Sequence, residues 1–445
     1  MTRCCFALTL SLFLSALLGS SLSMAQSPQS ISIYGSNTIG SQLLPALAKS
    51  FLESQNFTTI QVQNNPELLQ HKITASRNAT QPSVRIEIHS QGSSTGFSAL
   101  HNQSADLAAA SRPIKDHEAE LFRSISDMRS KESEHILAID GVAIIVHPLN
   151  PIKTLSTEQL AAIFSGSIRN WEALGGQQGE INIYARDHNS GTWETFKELV
   201  LADAGLSLAS TAKRFESSQA LSETVSQDPN GIGFIGLPYV LKAKAVAISA
   251  GDSAAMLPSA KLIATEDYPL SRRLYLYSTG QSQNALVNQF IAFAHSDAGQ
   301  QQVEALGFIS QIVKAMPVPS DASMPMPYQH LTQHAQRLSV NFRFKEGSAQ
   351  LDNKALRDID RVLAYLRKQQ KTNKQLVLVG FGDTKSDPQR ALLLSKLRAM
   401  AVRRELRKDN IILREVLGIG DAMPVASNQM DQGRLKNRRV ELWVY

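Results

Sequence analysis

Ala185-Arg186-Asp187-His188-Asn189-Ser190-Gly191-Thr192 follows the alternating run Ile181-Asn182-Ile183-Tyr184 and precedes Trp193-Glu194-Thr195-Phe196-Lys197-Glu198-Leu199. A strand ends, a short polar loop turns, and a helix begins. Helix starts leave backbone N–H groups without intrahelical partners and carry partial positive charge, so they attract anions. Arg186 stands four residues ahead of Ser190-Gly191-Thr192 and adds a guanidinium fork suited to a tetrahedral oxyanion. The same residues also suit an ordinary capped helix.

Three more clusters repeat the pattern. Gly35-Ser36-Asn37-Thr38-Ile39-Gly40 follows the strand Ile31 to Tyr34 and precedes the helical stretch Gln42 to Leu52. Gly92-Ser93-Ser94-Thr95-Gly96 follows Val84 to His89 and precedes Phe97-Ser98-Ala99-Leu100. The apolar run from Ala105 to Ala110 ends in Ser111-Arg112. Each places hydroxyl and N–H donors after a strand, where open α/β sheets bind ligands. From about Ile31 to Val313 strands alternate with helical patterns such as Thr157 to Phe164 and Ser282 to His295, with Val142 to Val146 a continuous apolar strand. This alternation predicts α/β architecture, and its length predicts two lobes.

The chain has 445 residues, a net charge of +6, 43% hydrophobic and 19% charged residues, which suits two or three globular domains. Arg3, the apolar run Phe6 to Leu18 and Ser23-Met24-Ala25 read as a signal peptide, residues 1–25. Both cysteines, Cys4 and Cys5, precede its apolar core, so neither a lipoprotein anchor nor a disulfide framework is expected. Met316 to Pro327 holds four prolines and reads as the core of a linker, 316–337. Beyond it the pattern changes. Val340, Phe342 and Phe344 alternate as a strand, and Leu356, Ile359, Leu363 and Leu366 mark a helix face. Leu376 to Phe381 is a buried strand, Leu394, Leu397, Ala401 and Val402 mark a second helix face, and Val440, Leu442 and Val444 close the domain. A compact α+β domain over 338–445 is predicted.

Competing motifs carry less. Gly92 to Gly96 fits G-x-S-x-G, so a secreted serine hydrolase using Ser94, with His188 or His295 as base, is one alternative. Gly231-Ile232-Gly233-Phe234-Ile235-Gly236 fits G-x-G-x-x-G, but Asp228-Pro229-Asn230 before it and Leu237-Pro238 after it deny it a dinucleotide context. It reads better as the chain's return crossing between lobes. The ten histidines show no metal spacing, His330 and His334 being four apart without a third ligand, so no metal or cofactor is expected. The basic run Arg403, Arg404, Arg407, Lys408, Arg434, Lys436, Arg438 and Arg439 is a solvated face, and secretion argues against nucleic acid as partner.

The segment Ile163-Phe164-Ser165-Gly166-Ser167-Ile168-Arg169-Asn170-Trp171-Glu172-Ala173-Leu174-Gly175-Gly176, with Arg186 to Thr192 and the order of the four clusters, resembles the periplasmic phosphate-binding proteins of ABC transporters. The resemblance covers about residues 30–315 within a domain bounded at 26–315. It implies a two-lobed flytrap closing on phosphate or a similar oxyanion. It implies ligands from Thr38, the backbone of Ile39, Ser93 and Ser111 in one lobe, and Arg186, Ser190, Gly191 and Thr192 in the other. Ser111 stands where that family carries an aspartate that accepts the phosphate proton. The departure implies weakened rejection of fully ionised sulfate, so sulfate is expected to compete with phosphate.

Gly380-Phe381-Gly382-Asp383, Leu394-Ser395-Lys396-Leu397-Arg398-Ala399 and Gly433-Arg434-Leu435-Lys436-Asn437-Arg438-Arg439-Val440-Glu441 together resemble the OmpA-like peptidoglycan-binding domain. That resemblance implies Asp383 and Arg398 as ligands of the diaminopimelate part of the wall peptide, with Arg438 assisting. The turn reads GFGD rather than the family's GHTD, which implies altered affinity. The combined expectation is a periplasmic, wall-associated phosphate-binding protein, not an enzyme, with an ABC permease as a further partner. A structural wall protein with a ligand-free flytrap is the other alternative.

Overall fold

The computed structural model describes residues 29–77, 84–188, 190–202, 204–280, 282–345, 348, 350–384, 387–429 and 431–445. The expected signal peptide and Asn189 lie outside them. An eleven-stranded mixed sheet runs through the N-terminal part. In its first half, Gln29–Gly35 lies parallel between Val84–His89 and Leu107–Ala110. In its second half, Asn182–Arg186 lies parallel between Gly231–Gly236 and Lys213–Phe215. The two halves share the long strand Glu134–Val146. Its residues up to Gly141 pair with Ser271–Tyr277, and those from Val142 pair with Gly231–Gly236. Each half has its own apolar core, with Ile86, Leu107, Leu274 and Phe290 in one and Ile144, Phe164, Phe196 and Phe234 in the other. The result is a two-lobed α/β body with strands crossing between the lobes.

Gly231–Gly236 differs from its sequence reading. It is a buried inner strand of the second lobe, and the return crossing is Ser271–Tyr277. Its glycines make room rather than bends, since a Cβ on Gly233 would come within 2.8 Å of the Leu221 side chain.

The C-terminal sheet runs in the order Ala315–Met316, Gln336–Arg343, Arg439–Val444, Leu376–Gly380, Glu415–Gly418. Helices Asn353–Lys368 and Pro388–Arg407 cover one face through Val362, Leu366, Ala399 and Leu406 packed on Leu376, Leu378 and Leu442. Helix Met326–His334 covers the other, with Tyr328 and Leu331 against Val377, Val379 and Trp443. The segment 316–337 is therefore not linker throughout, and 317–325 is its longest stretch without helix or strand. A proline at the start of a helix is tolerated because that N–H has no partner anyway.

The second helix face also differs. Pro388–Arg407 buries Ala391, Ser395, Ala399, Val402 and Leu406, while Leu397 is 53% exposed. The cause is a close approach of helix to sheet, where a Cβ on Gly380 would lie 1.9 Å from Ser395 O. Only small residues fit that contact, so the leucines turn outward.

The C-terminal module seats on both lobes. Toward the first lobe, Asn353 Nδ2 donates to Arg129 O and Glu134 Oε1, Arg357 to Lys131 O, and Arg361 to Gln311 Oε1. Toward the second, Arg337 pairs with Asp267 at 2.7 Å, Arg343 with Glu266 at 3.1 Å, and Asn341 donates to Asp267 at 2.9 Å. Ile263, Tyr268 and Leu270, which flank that acidic pair, belong to the second core. Charges buried this deeply are tolerated only when paired and hydrogen-bonded.

Candidate functional site

The loop after the first strand is shaped by backbone contact. Gly35 has φ +140°, and a Cβ there would lie 1.9 Å from Ala109 O. Ser36 N–H donates to that carbonyl at 2.8 Å, and the short helix Asn37–Gly40 follows at once. Gly96 brings helix Ser93–His101 onto the same strand, where a Cβ would meet Tyr34 O at 2.5 Å. In the other lobe Ser190 caps helix Gly191–Phe196 by accepting from Trp193 N–H at 3.4 Å. The lobes meet here. A Cβ on Gly191 would lie 1.2 Å from Thr38 Oγ1, so no larger residue fits between them.

Thr38, Arg186, Ser190, Gly191 and Thr192 line one cavity of about 830 Å³ between the lobes. Ile39 has its side chain buried in the first core. Ser93 and Ser111 do not line the cavity. Their hydroxyls lie 3.3 Å apart, Ser111 N–H donates to Ser93 Oγ, and Ser111 Oγ donates to Glu194 Oε2 of the other lobe at 3.2 Å. Arg112 is engaged elsewhere. It grips Glu118 with two 2.8 Å bonds, donates to Ser94 Oγ and faces Glu198 across the lobes at 3.5 Å. Burial pulls the Arg112 pKa down, but the hydrogen bond and charge of Glu118 outweigh it and the net shift is upward. Glu198 shifts upward because burial outweighs the attraction of Arg112.

Arg186 differs from the fork imagined beside the helix start. Its Nε donates to Phe215 O at 3.2 Å, Nη2 to Glu216 O at 2.8 Å and Nη1 to Ser218 Oγ. Three of its five N–H donors are thus held by the loop after Lys213–Phe215. Burial lowers its pKa, with Asp187 at 3.5 Å acting the other way. The guanidinium stays at the cavity wall as a fixed positive charge.

Two residues at the site escaped the sequence reading. Asp140, 6% exposed, lines the cavity from the long crossing strand. Arg272 reaches it from the other crossing strand, with Nη2 at 3.1 Å and Nε at 3.3 Å from Oδ2. Arg272 Nη2 also donates to Thr38 Oγ1 at 3.0 Å, and its buried Nη1 has no hydrogen-bond partner among the described residues. The signal was present, since a single charge inside a buried strand needs a partner or a ligand.

The hydrolase alternative finds no support in this geometry. Ser94 Oγ accepts from Arg112, and His295 is buried beside Arg361 and His135. Among the described residues no group of three or more His, Cys, Asp and Glu side chains could hold a metal ion.

In the C-terminal module Asp383 follows strand Leu376–Gly380 with its carboxylate fully buried. Arg438 Nη2 donates to its Oδ2 at 2.8 Å, and Arg398 Nη2 lies 3.9 Å from Oδ1. Arg398 Nη1 reaches Phe381 O, and burial lowers the Arg398 pKa against the pull of Asp383. The three residues singled out in the sequence converge, with Arg438 as the direct partner of Asp383 and Arg398 at longer range.

Residues 25–298 match the model of the PBP superfamily domain, and residues 343–438 match the OmpA family. The phosphate-binding protein PstS of Pseudomonas aeruginosa is 33% identical over 245 residues, covering 51% of this chain and 75% of that protein. Protein SphX of Synechococcus elongatus is 30% identical over 244 residues, covering 52% and 71%. Among solved structures, an ABC-type phosphate transport receptor from Vibrio cholerae is 26% identical, with a TM-score of 0.49 over 63% of this chain and 99% of that one.

Proposed function

Because the chain belongs to the PBP superfamily and carries an OmpA family domain near its C-terminus, we propose that it captures phosphate between its lobes and is tethered to peptidoglycan. The observation that carries the reading is the meeting of Thr38 with Arg186, Ser190, Gly191 and Thr192 around one cavity between the lobes. Two loops from different lobes supply hydroxyls, the N–H groups of a helix start and a fixed guanidinium, which is the donor set a dehydrated oxyanion needs. Ile39 contributes through its backbone, and Ser93 and Ser111 bond each other, with Ser111 reaching Glu194 of the other lobe. The Pseudomonas aeruginosa relative is a phosphate-binding protein, so the reading is one of capture and not of catalysis. The periplasm is the compartment it implies, and a membrane permease is the receiver of the ligand.

Asp383, Arg398 and Arg438 are the proposed wall contacts. A zwitterionic amino acid offers a carboxylate for Arg398 and an ammonium for Asp383, so one buried acid between two arginines suits it. Isothermal titration with phosphate, sulfate and arsenate tests the first half of the reading, and co-sedimentation with purified peptidoglycan tests the second. Absence of heat with all three anions would leave a structural wall protein as the better description.

A further inference from the structure

The outward face of helix Pro388–Arg407 takes no part in the cleft or in the wall site. At 3.6 residues per turn, Ala391, Ser395, Ala399, Val402 and Leu406 lie along the side that packs on the sheet. Leu393, Leu397, Met400 and Arg404 follow one another along the opposite side, at steps of four, three and four residues. Leu393 is 58% exposed, Leu392 48% and Met400 39%, so with Leu397 four large apolar side chains stand about half in water. A lone exposed leucine needs no explanation, but a row of them on one helix does.

The charges beside the row are of one sign. Lys396, Arg403 and Arg407 flank it on one side, and Arg390 and Lys408 on the other. Of these, Arg390, Lys396, Arg407 and Lys408 are exposed. The helix carries a single acid, Glu405, which lies away from the row and is engaged by Arg404 and Lys408. Arg398, on the same helix, turns instead to Asp383. The basic run read from the sequence as a solvated face thus carries an apolar crest, which a solvated face does not need.

A convex apolar crest between cations fits a soft anionic surface. Leucine and methionine side chains sink to the level of the acyl chains, while the longer lysine and arginine chains keep their charged heads among the phosphates. A second copy presenting the same face would set cation against cation. Among the described residues no helix is long and apolar enough to cross a membrane, so the lipid contact open to this helix is with a surface. We propose that the crest of Leu393, Leu397 and Met400, with its flanking cations, docks the C-terminal module on an anionic phospholipid surface. This goes beyond phosphate capture and wall tethering and uses the ligands of neither.

The test is co-sedimentation of the full chain with vesicles of phosphatidylglycerol and phosphatidylethanolamine, beside net-neutral vesicles of phosphatidylcholine. Wild type sediments with the first, is released as salt is raised, and stays in solution with the second. Leu393→Ser/Leu397→Ser/Met400→Ser keeps every charge and weakens partition by about 10-fold or more, because apolar surface is all it removes. Arg390→Gln/Lys396→Gln/Arg407→Gln weakens it by about 100-fold, since each cation near such a surface is worth about fivefold. Lys153→Gln/Lys197→Gln/Lys242→Gln removes the same charge from exposed positions of the two-lobed body and leaves partition near wild type. Circular dichroism verifies that the variants fold. A wild type that stays in solution with the anionic vesicles overturns the proposal. So does a serine variant that sediments like wild type, which leaves charge alone as the cause. Absent vesicle binding together with a dimer that the serine variant splits gives the crest to a second copy instead. Absent vesicle binding with a photo-crosslinker at Leu393 that joins another protein gives it to an acidic partner surface.

Discussion

Mild acid is expected to unfasten the C-terminal module, and the perturbation is carried by two buried histidines. His135 begins the long crossing strand and His295 ends helix Ala285–His295, with ring centroids 6.2 Å apart. From the C-terminal module, Arg357 Nη2 lies 3.0 Å from His135 Nδ1 and Arg361 Nη2 3.4 Å from His295 Nδ1. A ring nitrogen that accepts from a guanidinium cannot also carry a proton. Burial first, then the Arg357 charge, pushes His135 down to about 3. Burial, then Arg357, Arg361 and His135, holds His295 well below its ordinary value. Ser278 Oγ, at 3.2 Å from His135 Nε2, adds no charge.

The folded pKa values lie below those of the unfolded chain, so the stability is fully present above about pH 6.5 and is lost as pH falls from there toward 3. Each neutral histidine costs about 1.4 kcal/mol per pH unit in that window. At pH 5 this is about 2 kcal/mol each and about 4 kcal/mol for the pair, a large part of the 5–15 kcal/mol a domain commonly has. Glu266 and Asp267 act in the same direction at lower pH. Burial raises them, but Arg273 for the first and Arg337 for the second outweigh it, so their contribution is lost only below the usual carboxylate range. Urea unfolding at about pH 7.5 and about pH 5 measures the effect, with His135→Gln/His295→Gln as control. Wild type loses about 4 kcal/mol more than the control between the two conditions. Equal losses refute the reasoning.

Arg186→Ala lowers phosphate affinity about 10- to 150-fold in a calorimetric titration, because the lost donors are charged. Gly191→Ala lowers it by more than about 100-fold, since the new methyl occupies the place of Thr38 Oγ1 and holds the lobes apart; an unchanged affinity would deny that they close there. Asp383→Ala and Arg398→Ala each reduce co-sedimentation with purified peptidoglycan without altering the phosphate titration. Limited proteolysis cuts within the exposed Ser320–Ser323 stretch, yet the two products elute together in size-exclusion chromatography because the Arg337–Asp267 and Arg343–Glu266 pairs still join them.

The parts legible in the sequence are those with local causes. The strands ending at Gly35, His89 and Arg186 announce themselves by alternation, and the donor loops follow them directly. Long-range causes were not legible. Only Val142 to Val146 read as strand, because Asp140-Gly141 interrupts the apolar run, and its justification is Arg272, 132 residues away. In Pro388–Arg407 the leucines suggested a buried face, but the partner surface is glycine-backed and admits only Ala391, Ser395 and Ala399. The prolines of Met316 to Pro327 were read as a spacer, yet Tyr328 just beyond them packs on Trp443 and donates to Glu441 Oε2 at 2.8 Å. Nothing within a window of a few residues reports that partner.

Arg272 and Arg273 are neighbours on one strand, and successive side chains of a strand point to opposite faces. Arg272 turns to Thr38 and Asp140 at the cleft, while Arg273 turns to Glu266 and to Asp352 of the C-terminal module. A single peptide unit, about 3.8 Å between α-carbons, therefore separates the floor of the cleft from the point where the module takes hold. If the proposed wall tether holds, a pull on the module would reach the body first through Arg273 and its Asp352 partner. The cleft and the C-terminal module thus draw their contacts from neighbouring residues of one strand.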